Sequence, residues 1–164
     1  MELDYRRFFK GISKERIDYL VVGGLAVNLH GIPRMTYDID LMILLDTENI
    51  IRLIRVLKRW GYSPRVPVQA EELADKKKRE TWIREKNMKA FTFINDKEPL
   101  GEIDLIIDSP IPYNLLRERA VLFNIAGVEV PVISISDLIA LKALSGRKQD
   151  LSDIEHLRTI IEKG

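Results

Sequence analysis

A mixed β-sheet flanked by helices, an α+β arrangement closed by two C-terminal helices, is the fold class the chain predicts, and three observations predict it. Segments of helical and of strand periodicity follow one another as α-β-α-β-α, then a series of strands, then two helices. The 164 residues are 46% hydrophobic, which suits one domain, 1–164, with a sheet over about 19–133 and helices over about 136–162. No internal repeat or low-complexity tract interrupts that order.

Each element has its own signal. Residues 4 to 17 read as an amphipathic helix whose stripe is Phe8, Phe9 and Ile12, and Tyr19-Leu20-Val21-Val22 as an apolar strand. Gly23-Gly24 then turns into the helix-like run Leu25 to Leu29. In Asp38 to Ile43 the side chains alternate as in a strand, with Asp38 and Asp40 on one face and Ile39, Leu41 and Ile43 on the other. Asp46-Thr47 offers an N-cap to a core helix over about 47–60, with Ile50, Leu53, Ile54, Leu57 and Trp60 at helical spacing and Gly61 as its stop. From 66 to 87 the pattern weakens, and Glu71 to Arg79 reads as an exposed helix or a mobile loop. Lys89 to Ile94 and Glu102 to Ile107 predict two antiparallel strands joined by a turn through Asn95 to Pro99. A short helix over about 112–119 follows, then a hairpin of Val121 to Ile125 with Val128 to Ile133 around Ala126-Gly127. The last two helices are expected from Ser136 to Ser145, capped by Ser136-Asp137, and over about 152–162, where Ser152 and Glu155 form a capping box and Leu151, Ile154, Leu157 and Ile161 face inward.

Composition removes several function classes. Without cysteine there is no disulfide scaffold, zinc-thiolate site or thiol nucleophile, and His30 and His156 are too few and too far apart for a histidine metal cluster. The N-terminus lacks a signal-peptide core, and no apolar run approaches the ~20 residues needed to span a bilayer, so a cytoplasmic protein without a membrane partner is expected. Net charge is +1, yet residues 52–89 hold twelve Lys and Arg against five Asp and Glu, a local balance of +7. A charge run of this kind is ordinarily a solvated face; its functional reading is an RNA or other phosphate-rich acceptor.

Carboxylate chemistry remains. The amides of Gly23 and Gly24 would point from a helix N-terminus, where anions are stabilised, although glycines there also serve tight packing and positive φ. Asp38 and Asp40 on one strand face invite a divalent cation, which with its preference for hard oxygen ligands wants two or three converging carboxylates. Asp104, between Ile103 and Leu105, is the third candidate, because a charge in an apolar strand needs compensation. Glu102 shares its face and is the fallback ligand, whereas Asp108 suits the turn into Ser109-Pro110. Taken alone, an Asp near a strand end is a turn or cap residue. Arg34, beside Pro33, can pair with the acids or a phosphate, or be a plain surface arginine. Lys142 lies on an otherwise apolar helix face, so its ammonium must snorkel out or meet an anion. His30 suits a helix C-terminus better than a general base, Thr36 can accept a hydrogen bond or cap the strand, and Arg147, Lys148 and Asp150 read as a solvated loop.

Val21-Val22-Gly23-Gly24, Arg34 to Leu41 with its Asp38-Ile39-Asp40, and Ile103-Asp104-Leu105-Ile106 together resemble the polymerase-β-like nucleotidyltransferase superfamily, and more narrowly the minimal nucleotidyltransferases related to AbiEii-type toxins of toxin-antitoxin systems. Asp137 to Lys142 and Gly146 to Ile154 are similar to the helical segment after the catalytic sheet in that group. The resemblance covers roughly 19–160 and implies a nucleotidyltransferase fold. It also implies transfer of a nucleoside monophosphate from an NTP to an acceptor hydroxyl, with release of pyrophosphate. Asp38 and Asp40 would hold one Mg²⁺ or Mn²⁺, and Asp38, Asp40 and Asp104 a second; Gly23, Gly24, Arg34 and Lys142 would bind the nucleotide. Many relatives carry Ser where this chain has Gly24, which can offer only its amide. The sequence leaves the acceptor open among RNA such as transfer RNA, a protein hydroxyl and a small antibiotic-like molecule, with the basic segment tilting toward RNA, and an antitoxin is the partner the resemblance implies; the rival is a catalytically inactive module of the same fold, an antitoxin or scaffold. An aspartyl-nucleophile phosphatase fits poorly, because Arg34 to Tyr37 and not an apolar strand precede Asp38, and a metal-dependent glycosyltransferase needs a larger domain.

Overall fold

The computed structural model describes residues 5–34, 36–97 and 101–163. Met35 of the Arg34 to Leu41 run, and Glu98 and Pro99 of the expected turn, lie outside the described residues. The chain runs α1 (Tyr5–Lys14), β1 (Tyr19–Val22), α2 (Gly23–Leu29), β2 (Ile39–Ile43), α3 (Thr47–Arg59) and β3 (Ser63–Pro64). It continues through a 3-10 turn (Ala70–Ala74), α4 (Lys76–Lys86), β4 (Ala90–Ile94), β5 (Ile103–Ile106), α5 (Tyr113–Glu118), β6 (Val121–Ile125), β7 (Val128–Val132), α6 (Ile135–Ser145) and α7 (Lys148–Lys163).

Among the described residues seven strands share one mixed sheet in the order β3-β4-β5-β2-β1-β7-β6. β1 pairs antiparallel with β2, and β4 with both β3 and β5, while the β2–β5 and β1–β7 pairs are parallel. The α+β expectation is met. Alternation then divides the sheet's faces. Ile39, Leu41, Ile43, Phe91, Phe93, Ile103 and Leu105 are buried in one hydrophobic core, with Leu53 and Leu57 of α3 in the same cluster. Thr92, Asp104 and Asp40 alternate with them and are only partly covered. Gly11 has no room for a Cβ, which would lie 2.1 Å from Trp60; α1 can approach the end of α3 that closely only with glycine there.

Several boundaries differ from expectation, each for a local reason. The weak stretch at 66–87 is neither loop nor exposed helix throughout: Asp75 caps α4 by accepting the Lys77 and Lys78 amides at 3.0 and 3.3 Å. Trp82 stacks on Phe91 at 5.5 Å, buried Arg79 donates to the Leu73 carbonyl at 2.7 Å, and Ile83 packs against the core, so these residues dock an otherwise polar helix. Helix α6 begins one residue early, because Ser134 and not Ser136 is its cap, accepting the Asp137 amide at 3.2 Å. Helix α7 begins at Lys148, so Ser152 and Glu155 lie inside it and form no capping box. Asp150 does that work instead, reaching back to the Arg147 amide at 3.3 Å. The inward face of α7 is Asp150, Asp153, Ile154 and Leu157, whereas Leu151 and Ile161 are 54% and 50% exposed.

The entry to β1 and the exit from β2 are stitched by one buried side chain. Asn49 Oδ1 accepts the Asp18 amide at 2.8 Å, and its Nδ2 donates to the carbonyls of Asp18 and Leu44, both at 2.9 Å. Asn49→Ala removes three hydrogen bonds in a site 2% exposed and takes the partner of the Asp18 amide and the Leu44 carbonyl, while the Asp18 carbonyl keeps the Leu44 amide at 3.1 Å. The expected loss is about 2–4 kcal/mol of unfolding free energy with an unchanged denaturant slope; a loss below about 0.5 kcal/mol in a urea titration contradicts this role.

Candidate active site

Strand register builds the site. Val22 pairs with Asp40 across the antiparallel ladder, Asp40 with Asp104 across the parallel one, and Asp104 with Thr92 on the far side. One row of positions therefore crosses four strands from Thr92 to Val22, and the Gly23-Gly24 turn continues from its end. Asp38, two residues before Asp40, falls on the same face by strand period.

The acids converge. Asp38, Glu102 and Asp104 each offer a carboxylate oxygen within 4.8 Å of the others. Asp40 is hydrogen-bonded to Asp104 and accepts the Gly24 amide. Gly23 adopts φ +64°, and a Cβ there would lie 2.0 Å from Asp40 Oδ2, so the carboxylate occupies the space the missing side chain leaves. Thr92 Oγ1 donates to Asp104 Oδ1 at 2.5 Å, and Arg65 pairs with Glu102.

Crowding of like charge sets the electrostatics. Burial first, then the charge of Asp104, the hydrogen bond shared with it and the charge of Asp38 push the Asp40 carboxyl up to about 7, opposed by the Gly24 amide. Asp38 is raised in the same sense by burial, Asp104 and Glu102, with Arg65 opposing. The cluster is short of positive charge.

A second charged cluster borders the turn from the helical end. Arg34 Nη1 meets Asp153 Oδ2 at 2.5 Å, and Lys142 Nζ lies 2.9 Å from the same oxygen and 3.3 Å from Asp150 Oδ1. Arg147 Nε donates to Asp150 Oδ2 at 2.8 Å, and Gln149 to Asp153 Oδ1 at 3.0 Å. Burial opposes ionisation of Asp150, but hydrogen bonds from Arg147 and Ser145 and the Lys142 ammonium hold it down to about 2. Arg34 reaches the turn itself: its Cζ is 3.4 Å from where a Gly24 Cβ would stand, and Thr36 Oγ1 is 3.0 Å from the same point.

Of the residues singled out from sequence, Gly23, Gly24, Asp38, Asp40 and Asp104 come together, with Arg34 beside Gly24. Lys142 meets an anion as its apolar face demanded, but two internal ones, Asp150 and Asp153. Glu102, the fallback ligand, is within the acid cluster, while Asp108 faces Lys89 at 3.8 Å. His30 caps α2, its Nε2 2.7 Å from the Ile133 carbonyl oxygen. The solvated-loop reading of Asp150 is wrong: it is 1% exposed and anchors α7. Thr92, Arg65 and Asp153 were missed. The available signal was the 150, 153, 154, 157 stripe, helical in period but half acidic, and the hydroxyl of Thr92 at strand period between Phe91 and Phe93.

A mixed seven-stranded sheet carrying an Asp-x-Asp pair, a third aspartate on the adjacent parallel strand and a Gly-Gly turn against them defines a nucleotidyltransferase. The chain belongs to the family described as nucleotidyl transferase AbiEii toxin, type IV TA system, which matches residues 7–162. Among solved structures, the lincosamide antibiotic adenylyltransferase LnuA with lincomycin bound is similar at TM-score 0.64 and 17% identity, covering 97% of this chain and 98% of that one. An antigenic nucleotidyltransferase-like protein from Paracoccidioides brasiliensis is similar at TM-score 0.59 and 20% identity, covering 97% and 74%. ANT(2")-Ia in complex with adenylyl-2"-tobramycin is similar at TM-score 0.57 and 13% identity, covering 93% and 84%. At these identities the likeness is one of fold. A search of curated protein sequences returns no match. Among the described residues no helix is long and apolar enough to cross a membrane.

The raised Asp40 carboxyl has a definite pH signature. A carboxyl whose folded value lies above its ordinary value near 3.8 costs no stability below that pH, and its cost grows as pH rises to about 7. Asp40→Asn is therefore expected to leave metal-free stability near pH 4 unchanged. At pH 8 it should raise stability by on the order of a few kcal/mol. Thermal melts in EDTA across that range check this, and equal differences at both ends contradict it.

Proposed function

We propose that the protein transfers a nucleoside monophosphate from an NTP to an acceptor hydroxyl, releasing pyrophosphate, and that it does so with Mg²⁺ or Mn²⁺ held by Asp38, Asp40 and Asp104. The observation that carries this reading is the meeting of these acids opposite the Gly23-Gly24 turn. The fit to a divalent cation rests on the donors themselves: Asp38 and Asp104, with Glu102, offer oxygens within 4.8 Å of one another, Asp40 adjoins them through Asp104, and the raised Asp38 and Asp40 carboxyls ask for an added positive charge. Such a cation, when bound, supplies charge neutralisation for the triphosphate and lowers the pKa of the acceptor hydroxyl.

The chain's own groups do the rest. The Gly23-Gly24 turn, whose Gly24 amide is held by Asp40 in this structure, and Arg34 alongside receive the β- and γ-phosphates. Arg34 is held in place by Asp153, which Lys142 braces from the other side, so Lys142 serves the phosphates through Arg34 and the field of the network. The acceptor oxygen bonds to the α-phosphorus in line with the departing pyrophosphate, which leaves with the electron pair of the broken P–O bond; the hydroxyl proton passes to the carboxylate cluster. Positioning and electrostatics carry the acceleration.

Acceptor and partner belong to the proposal as well. RNA is the acceptor class this reading favours, on the +7 balance of residues 52–89. Much of that charge is already matched, since Arg52, Lys58, Arg59, Arg65, Lys78, Arg84 and Lys89 are each paired with an acid. Protein hydroxyls are the other acceptor to test, and an antitoxin the expected partner. The intact acid set disfavours an inactive binding module of this fold.

Mg²⁺ or Mn²⁺ together with NTP is expected to raise the melting temperature of the wild-type protein and to leave an Asp38→Asn, Asp40→Asn variant unmoved. Incubation with labelled NTPs and separate RNA and protein fractions should label RNA only with the wild type. An unchanged melt in both proteins, with no labelled product, would refute the catalytic reading.

A further inference from the structure

Thr92 stands at a place where strand chemistry alone does not ask for a hydroxyl. Its neighbours Phe91 and Phe93 are buried in the core, and β4 would be served equally by valine, which has the same shape and higher apolarity. The hydroxyl is nevertheless used. Thr92 lies directly opposite Asp104 in the β4–β5 ladder, and its Oγ1 donates to Asp104 Oδ1 at 2.5 Å. On the other side of that carboxylate is Asp40, hydrogen-bonded to it and seated against the Gly23-Gly24 turn. The carboxylate is gripped at two points from two neighbouring strands.

The residue making this contact is itself pinned. Its carbonyl accepts the Arg65 amide at 2.9 Å, continuing the β3–β4 pairing past Pro64, and its β-branch limits the side chain to few rotamers. A hydroxyl fixed in this way sets the plane of the Asp104 carboxylate before any ligand arrives. Groups that hydrogen-bond a ligating carboxylate and fix its orientation typically change metal affinity by about 10- to 100-fold when removed.

We propose that Thr92 is a positioning residue for the reaction: its hydroxyl holds Asp104 in the orientation in which that carboxylate joins Asp38 and Asp40 on a divalent cation. The proposal rests on the reading of Asp38, Asp40 and Asp104 as the cation site, and it adds a residue from the neighbouring strand that carries no charge and touches no phosphate.

The experiment measures Mn²⁺ binding to the full chain by the electron paramagnetic resonance signal of the free ion, without nucleotide, which would itself chelate the ion, for wild type, Thr92→Val, Thr92→Ser, Thr92→Ala and Asp104→Asn. Thr92→Val is expected to weaken Mn²⁺ binding by about 10- to 100-fold, and Thr92→Ser to stay within about threefold of wild type because it keeps the donor. Thr92→Ala should weaken binding as Val does, which keeps the comparison available if the Val side chain disturbs the fold, as melts without metal would reveal. If Asp104→Asn loses Mn²⁺ affinity but Val and Ala bind like wild type, the positioning role is overturned and the cation site stands. If Ser is as impaired as Val and Ala, the effect is not that of the hydroxyl, and the role is overturned again. If Asp104→Asn binds Mn²⁺ like wild type, the cation-site reading fails and takes this proposal with it.

Discussion

Mutual repulsion among carboxylates packed on one face of a sheet is the constraint around which this molecule is organised. Strand register puts Asp40 and Asp104 on adjacent parallel strands at the same level, strand period brings Asp38 to their side, and Glu102 closes the group. In water four such charges would drift apart; here the ladder hydrogen bonds of β1, β2, β4 and β5 and the apolar layer beneath them hold the backbone positions. The same alternation that buries Ile39, Leu41, Ile103 and Leu105 forces the acids onto the opposite face. Core and site are two readings of one register, and a one-residue slip would lose both. The protein carries the site at a cost to its own stability, and that unfavourable energy is what a bound cation would relieve.

The C-terminal helices act on this arrangement at a distance. Lys142 and Asp153 are nearly enclosed, with side-chain exposures of 8% and 2%, and buried ion pairs of this kind contribute little net stability while their disruption is expensive. Their value lies in geometry. Asp153 holds Arg34, and Arg34 lies against Gly24, so the orientation of α6 and α7 decides where a cation stands relative to the turn. Asp150 links the two helices by serving at once as the backward cap of α7 and as a partner of Lys142. The sheet supplies one acid cluster, α6 and α7 supply the Lys142–Asp150–Asp153 network, and Arg34, from the segment between α2 and β2, joins that network to the glycine turn.

Much of this was legible from residue order. Apolar period identified β1, β2, β4, β5 and the β6–β7 hairpin; all but β6 have a face in the core, and β6 lays only the half-buried Phe123 and Ile125 against it. The acids of the site could be picked out because a carboxylate among isoleucines and leucines has no cheap structural explanation. What escaped notice was set by contacts between segments far apart in sequence. β3 is two residues long and exists only because β4 pairs with it. Helix α4 has almost no apolar stripe and depends on Trp82, Ile83 and Arg79 to dock. Helix α7 misled because its inward face includes Asp150 and Asp153, whose burial makes sense only once Lys142, Arg34 and Arg147 are seen around them. Thr92 gave too little to read, since a threonine in a strand is commonplace until its neighbour across the ladder is known.

Direct location of the cation tests the account at its centre. A crystal of the protein grown with Mn²⁺ and a non-hydrolysable NTP, with anomalous scattering collected at the manganese edge, should place the ion between the carboxylates of Asp38, Asp40 and Asp104, with the triphosphate against the Gly23-Gly24 amides. Manganese bound elsewhere, or a triphosphate seated away from that turn, would contradict it.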